Sequence, residues 1–186
     1  LAPVGRAIIR RMRTVSTLTL SLLLVATAAF AADEPQKPLS PPARTEATLA
    51  GNKVTIDYSA PSRRDRAIIG GLVPFDRVWR TGANAATTLT TEGDLMIGTV
   101  HVPAGTYTLY TIPGKKEWTL IINKQTGQWG TKYDQAQDLG RTKMTVTWPK
   151  ATTETFAIGL APSGGRKANL TLTWENTQAS VPVIAH

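Results

Sequence analysis

Ala168-Asn169-Leu170-Thr171-Leu172-Thr173-Trp174-Glu175 alternates without a break, with Leu170, Leu172 and Trp174 on one side and Thr171, Thr173 and Glu175 on the other. Successive side chains of a strand point to opposite faces, so this period of two marks an antiparallel strand with one face on a core and one wet. Met144, Val146 and Trp148 repeat the pattern against Thr145 and Thr147, which places Trp148 on the expected core face. Working outward, short runs rich in β-branched and aromatic residues fall at 45–49, 53–59, 87–91, 95–102, 106–112, 118–123, 143–148, 155–160 and 168–175. Residues 181–184 read as an added edge strand. Turn residues at Gly51-Asn52 and at 92–94, 103–105 and 113–116 supply hairpin signals. Eight or nine short strands spaced by turns predict an all-β fold, an antiparallel β-sandwich or open barrel with few or no helices. Only 64–70 and 134–139 read as short helices. Residues 95–102 and 118–122 carry apolar side chains on both faces, which suits a central strand or one beside an occupied groove.

Ahead of the strands lies a different kind of sequence. Arg6, Arg10, Arg11 and Arg13 are followed by an apolar run from Leu18 to Phe30 and by Ala29-Phe30-Ala31, a small-x-small exit. Basic start, apolar middle and small-residue exit make the three-part secretory signal, so residues 1–31 are expected to be cleaved and the product to be periplasmic or extracellular. Met12 is a natural start, which would make 1–11 an over-long beginning. The apolar run is shorter than the ~20 residues that span a bilayer, and no later stretch reaches that length. Residues 32–44 hold Pro35, Pro38, Pro41 and Pro42 with almost nothing apolar and read as an extended or disordered leader. Residues 45–184 are then a single β domain.

Charge and cysteine content narrow the chemistry. The 186-residue chain carries a formal net charge of +8 from 21 basic and 13 acidic residues. Four of the bases and none of the acids precede Ala32, so signal removal leaves +4, too small and dispersed to argue for nucleic acid. With no cysteine, thiol catalysis, iron–sulfur clusters and cysteine zinc sites are excluded. Two histidines, His101 and His186, cannot build a multi-histidine metal centre, and no cofactor is implied.

Certain blocks carry a more specific pattern. Asp57-Tyr58-Ser59-Ala60-Pro61, Gly70-Gly71-Leu72-Val73-Pro74 and Val78-Trp79-Arg80-Thr81-Gly82-Ala83-Asn84 are followed by Pro103-Ala104-Gly105-Thr106-Tyr107, Thr111-Ile112-Pro113-Gly114, Glu117-Trp118, Asn123-Lys124 and Gln128-Trp129-Gly130. In order and spacing these resemble the DUF2911 family of secreted bacterial proteins, over about Ser40 to Trp174. The resemblance implies an exported β-rich domain and brings no activity, substrate or cofactor. The family pattern has an arginine before the proline of its Tyr-Ser-x-Pro motif; here Ala60 stands there, with Arg63 and Arg64 downstream.

Three constellations could carry function. In residues 77–84, Trp79 offers a wide apolar face, Arg80 a fork of donors for carboxylate or phosphate, Thr81-Gly82 exposed backbone N–H groups, and Asn84 an amide. The structural alternative has Trp79 in the core and Arg80 paired with Asp57, Asp76 or another acid. Five tryptophans make a second signal: Trp148 and Trp174 fall on core faces, Trp129 in a Gly-flanked loop suits an exposed stacking platform, and Trp118 could serve either role. Third, His101 could act as a general base if Asp57 or Glu117 oriented it. Arg63-Arg64-Asp65-Arg66 reads as a solvated turn.

The expected function is therefore binding of a small polar, anionic or glycan-like (carbohydrate) ligand. Arg80, Asn84 and Thr81 would clamp it, Trp129 or Trp118 would stack on it, and His101 would stand nearby. An envelope structural or interaction protein and a His-dependent hydrolase are the alternatives, and whether the chain is an enzyme stays open.

Overall fold

The computed structural model describes residues 39–186. The signal expected over 1–31 and residues 32–38 of the expected leader lie outside the described residues.

Eleven strands follow one another: β1 (Pro42–Leu49), β2 (Asn52–Ser59), β3 (Thr87–Thr91), β4 (Leu95–Ile97), β5 (Val100–Val102), β6 (Gly105–Ile112), β7 (Glu117–Asn123), β8 (Asp138–Thr147), β9 (Thr153–Gly164), β10 (Lys167–Glu175) and β11 (Thr177–Ala185). They join in the order β1-β2-β3-β6-β7-β8-β11-β10-β9, every ladder antiparallel, with β4 added to β11 and β5 to β4. The sheet curls into a nearly closed barrel. Its two ends meet where the chain beyond β2 bonds the start of β9: Arg63 N–H donates to Glu154 O (2.8 Å) and Phe156 N–H to Pro61 O (2.9 Å). Closure removes most of the exposed edge that an open sheet would present.

The opening stretch behaves as its alternation demands. Leu170, Leu172 and Trp174 are buried inside the barrel with Phe156, Ile158, Val181 and Val183. Burying large side chains of this kind is worth about 1.5–3 kcal/mol each, and it fixes the register, since a one-residue slip would turn them all to solvent. The outer face of β6 and β7 is buried too, because residues 124–134 fold back over it. Thr108 Oγ1 donates to Gln125 O (2.7 Å), and Tyr110 OH donates to Lys132 O (3.1 Å). That accounts for apolar residues on both faces of 118–122.

Several expectations change. Residues 95–102 are not one strand but the β4–β5 hairpin, because Gly98 (φ +56°) opens a two-residue turn. The signals at 92–94 and 103–105 join strands that do not pair with each other, while 113–116 closes the real β6–β7 hairpin. Residues 181–184 are no edge: they belong to the nine-residue β11, which lies between β8 and β10. β1 begins at Pro42, so Pro42–Arg44 pair with β2 rather than belonging to a leader. Residues 64–70 form turns, and 134–139 contains a single 3-10 turn, Gln135–Gln137, capped by Asp134. Trp148 is 63% exposed, because β8 ends at Thr147 and the alternation runs one residue past the strand.

Candidate functional site

Trp79 lies beside β6 as if β3 had been extended: its N–H donates to Thr111 O (2.7 Å), and Thr111 N–H donates to Trp79 O (2.9 Å). Its indole enters the core, edge-on to Trp118 (6.2 Å between ring centres) and Phe156 (5.1 Å) and nearly parallel to Trp174 (5.9 Å). These rings come from the ends of β6-paired chain and β10 and the starts of β7 and β9, and together they plug one end of the barrel. Aromatic contacts of this geometry add about 0.5–1.5 kcal/mol each beyond area burial.

After Trp79 the chain leaves the sheet and rejoins it at Thr87, which pairs with Leu109. The excursion turns through positive φ at Thr81 (+53°), Gly82 (+152°) and Asn84 (+57°). For a β-branched threonine this costs of order 1–3 kcal/mol and persists only where the surroundings fix it. They do so here: Thr81 Oγ1 lies 3.1 Å from Thr111 Oγ1, and Thr87 Oγ1 donates to Thr81 O at 2.7 Å. The loop docks on residues 128–130, with Gly130 N–H donating to Asn84 O (3.0 Å). Arg80 lies flat against Gly130, where an added Cβ would fall 2.7 Å from Arg80 Cδ and 2.8 Å from Asn84 O. Gly130→Ala is therefore expected to displace Arg80 and destabilise the fold by about 1–3 kcal/mol, as overpacking does. Urea unfolding measures the second effect, and an unchanged midpoint would show that the contact relaxes freely.

Between this loop, residues 61–78 and residues 128–133 lies a cavity of about 700 Å³. Trp79 and Trp174 form its apolar floor, Tyr110 and Tyr133 a side wall, and Leu39, Leu72 and Val78 its rim. Arg64, Arg66 and Arg80 face it from two sides. Their charges meet backbone carbonyls only. Arg64 Nη2 donates to Leu39 O (2.8 Å), Arg66 Nη2 to Ser62 O (2.7 Å) and Arg80 Nε to Gly82 O (3.3 Å). Among the described residues no carboxylate is paired with any of these three side chains, and none lines the cavity.

Tyr133 is held from behind. Its hydroxyl donates to Asp138 Oδ2 (2.8 Å) and accepts from Arg141 Nη2 (2.7 Å), while its ring stands edge-on to Tyr110 at 4.9 Å. Burial, followed by the bond to Asp138, pushes the Tyr133 phenol above its ordinary range, and burial likewise raises Tyr110. Both phenols stay protonated at neutral pH, and each spends its one O–H inside the fold, Tyr133 on Asp138 and Tyr110 on Lys132 O.

The expected site residues divide. Arg80 lines the cavity and is paired with no acid; Asp57 instead carries Arg44 (2.6 Å). Thr81 is fully buried and structural. Asn84 is exposed, its Nδ2 donating to Ser40 O (3.4 Å), and lies outside the cavity lining. Trp129 is 52% exposed, but its neighbours Gly130 and Thr131 line the cavity and its own ring does not. Trp118 is 2% exposed, so it is a core residue and not a stacking surface. His101 lies on β5, the strand added to β4 off the main sheet order, and lines no part of the cavity; its Nε2 is 3.2 Å from Asp94 Oδ2. Both side chains are about half exposed. The Ala104 N–H, more than His101, holds the Asp94 carboxyl below the usual carboxylate range. Asp57 and Glu117, the orienters expected for His101, are instead paired with Arg44 and Lys143. Arg64 and Arg66, read from sequence as a solvated turn, are exposed but belong to the cavity, as do Trp174, Tyr110 and Tyr133. For Trp174 the run of alternating residues showed burial; no sequence signal showed that its burial forms a floor.

The fold and site define a small β-barrel domain with an arginine-flanked cavity at one end. A family profile, DUF2911, described as a protein of unknown function, matches residues 40–183, and the chain belongs to that family. No curated protein and no solved structure matches it. No helix among the described residues is long and apolar enough to cross a membrane.

Proposed function

We propose that this domain binds a small anionic ligand with an apolar body in the cavity flanked by Arg64, Arg66 and Arg80. One observation carries the reading: three arginines whose side chains have no carboxylate partner line one cavity together with Trp79 and Trp174. Each guanidinium has five N–H donors and spends at most two of them on backbone carbonyls, so donors remain for carboxylate or phosphate. A neutral sugar suits the site less well. Its hydroxyls need acceptors as well as donors, and no Asp, Glu, Asn or Gln of the described chain lines the cavity. Stacking, where it occurs, falls to the partly buried Trp79, since Trp174 is as buried as Trp118.

The test uses phenyl phosphate and benzoate as probes, with benzylamine as a charge control, read by calorimetry and by tryptophan fluorescence. The anions are expected to bind and the cation not to. Arg80→Ala should weaken the anions about 10- to 100-fold, the worth of a charge-assisted hydrogen bond. Equal binding of benzylamine, or no effect of Arg80→Ala in a folded protein, rejects the proposal.

We further propose that the domain works outside the cytoplasm, on the support of the basic, apolar and small-residue pattern of residues 6–31. N-terminal sequencing of the exported product is expected to begin at Ala32.

A further inference from the structure

Five large apolar side chains are exposed among the described residues: Leu39 (72%), Leu72 (52%), Val78 (40%), Trp129 and Trp148. Apolar residues scattered singly on a surface need no explanation, but a group at one place marks a binding surface. Leu39, Leu72 and Val78 all belong to the rim of one cavity, the same one that Arg64, Arg66 and Arg80 face.

The exposure of Leu72 is built into the backbone. Leu72 sits at the tip of a tight loop in which Gly70 N–H donates to Val73 O (2.8 Å) and Val73 N–H to Ile68 O (2.9 Å). The loop closes only because two glycines precede the tip. A Cβ at Gly70 would lie 2.5 Å from the Phe75 ring, and one at Gly71 would lie 2.5 Å from Ala67 O. Glu175 ties the base of the loop to β10 by accepting the N–H groups of Ile68 (3.4 Å) and Ile69 (3.3 Å). Leu72 is thus held outward by a fixed turn.

Resting on the binding role proposed above, we infer that the ligand is an amphiphilic anion: a carboxylate or phosphate head on an unbranched hydrocarbon chain. A compact, wholly polar ion would satisfy the arginines and leave Leu72 and Val78 uncovered. An uncharged lipid would cover the rim and leave three cations without a counter-charge. An anionic head among the guanidiniums with its chain laid over Leu72 and Val78 satisfies both.

The experiment measures binding of straight-chain carboxylates from acetate to decanoate to the full chain, each below its micelle concentration. Affinity is expected to rise about two- to fourfold per added methylene, the range for partial to full burial of that group. Leu72→Ser with Val78→Ser should flatten this slope and leave butyrate unchanged, while Arg80→Ala should weaken every member by a similar factor. Decyl phosphate run beside decanoate identifies the head group, and either preference supports the inference. A flat slope in the unaltered protein overturns it and leaves the anion-binding role standing; failure of every anion to bind removes both. Equal binding of decyltrimethylammonium, or an undiminished slope in the double variant, shows adsorption elsewhere and overturns it. So does sedimentation showing that a second copy covers the rim and that the double variant only frees the monomer.

Discussion

Trp174→Ala is expected to lower the unfolding free energy by about 3–5 kcal/mol, the range for truncating a large buried aromatic side chain. Trp174 is 3% exposed and lies against Trp79 and Phe156. Its indole N–H also donates to Glu154 O (3.1 Å), beside the seam that closes the barrel. Alanine there opens a void on two aromatic neighbours and removes the hydrogen bond at once. At roughly 2–4 °C per kcal/mol for a domain of this size, the melting temperature should fall by about 6–20 °C. Urea unfolding separates the contributions. The midpoint should fall with little change in slope, and Trp174→Phe, which keeps most of the packing but not the N–H, should recover more than half the loss. A Trp174→Ala protein as stable as the parent would mean that the plug is not part of the core.

Asp138→Ala should have the next largest effect on stability, about 2–3 kcal/mol, because hydrogen bonds to an ionised acceptor are among the stronger ones. The carboxylate accepts from Asn123 Nδ2 (2.9 Å), Tyr133 OH (2.8 Å) and Arg141 Nε (2.9 Å). Asn123 is fully buried and keeps its bond to Asp134 O (2.8 Å), so the loss falls mainly on Tyr133 and Arg141. The sign of the pH effect follows from Tyr133. Its phenol titrates above the ordinary value of 10.0 in the folded state, so the protonated form is stabilised by folding. That contribution is present below the unfolded value and is lost as pH rises through the folded one. The parent should therefore lose stability in strong alkali, and Asp138→Ala should lose less of it. An identical alkaline limb in both proteins would show that the phenol's shift owes nothing to Asp138.

The strands were readable where each side chain reported its own face. Leu170, Leu172 and Trp174 needed no partner to show their side, and the same alternation over Trp118, Leu120 and Ile122 held the answer for Trp118. A proline cannot donate to a ladder and is expected at an edge, yet Pro182 lies in β11, an inner strand. The structure evades that rule locally. On one side β11 pairs with β8 through Gln178–Ser180 and with β4 through Val183–Ala185, and Pro182 falls in the gap between them. Trp148 misled because alternation does not announce where a strand stops. The site was legible only in part. Arg80 stood out through its neighbours Trp79, Thr81 and Gly82, but its companions Arg64 and Arg66 arrive through long-range pairing that no local pattern encodes.

That pairing has a kinetic consequence. Ser62 meets Thr155 across 93 residues of chain, and the arginine loop hangs from this seam. Bringing such distant segments together carries a loop-closure cost before any contact rewards it, so sheets closed in this way fold in milliseconds to seconds. Hairpins such as β1–β2 and β10–β11 can form early from neighbouring residues. The cavity depends on the two ends of the sheet finding each other, so it is expected to assemble after those hairpins.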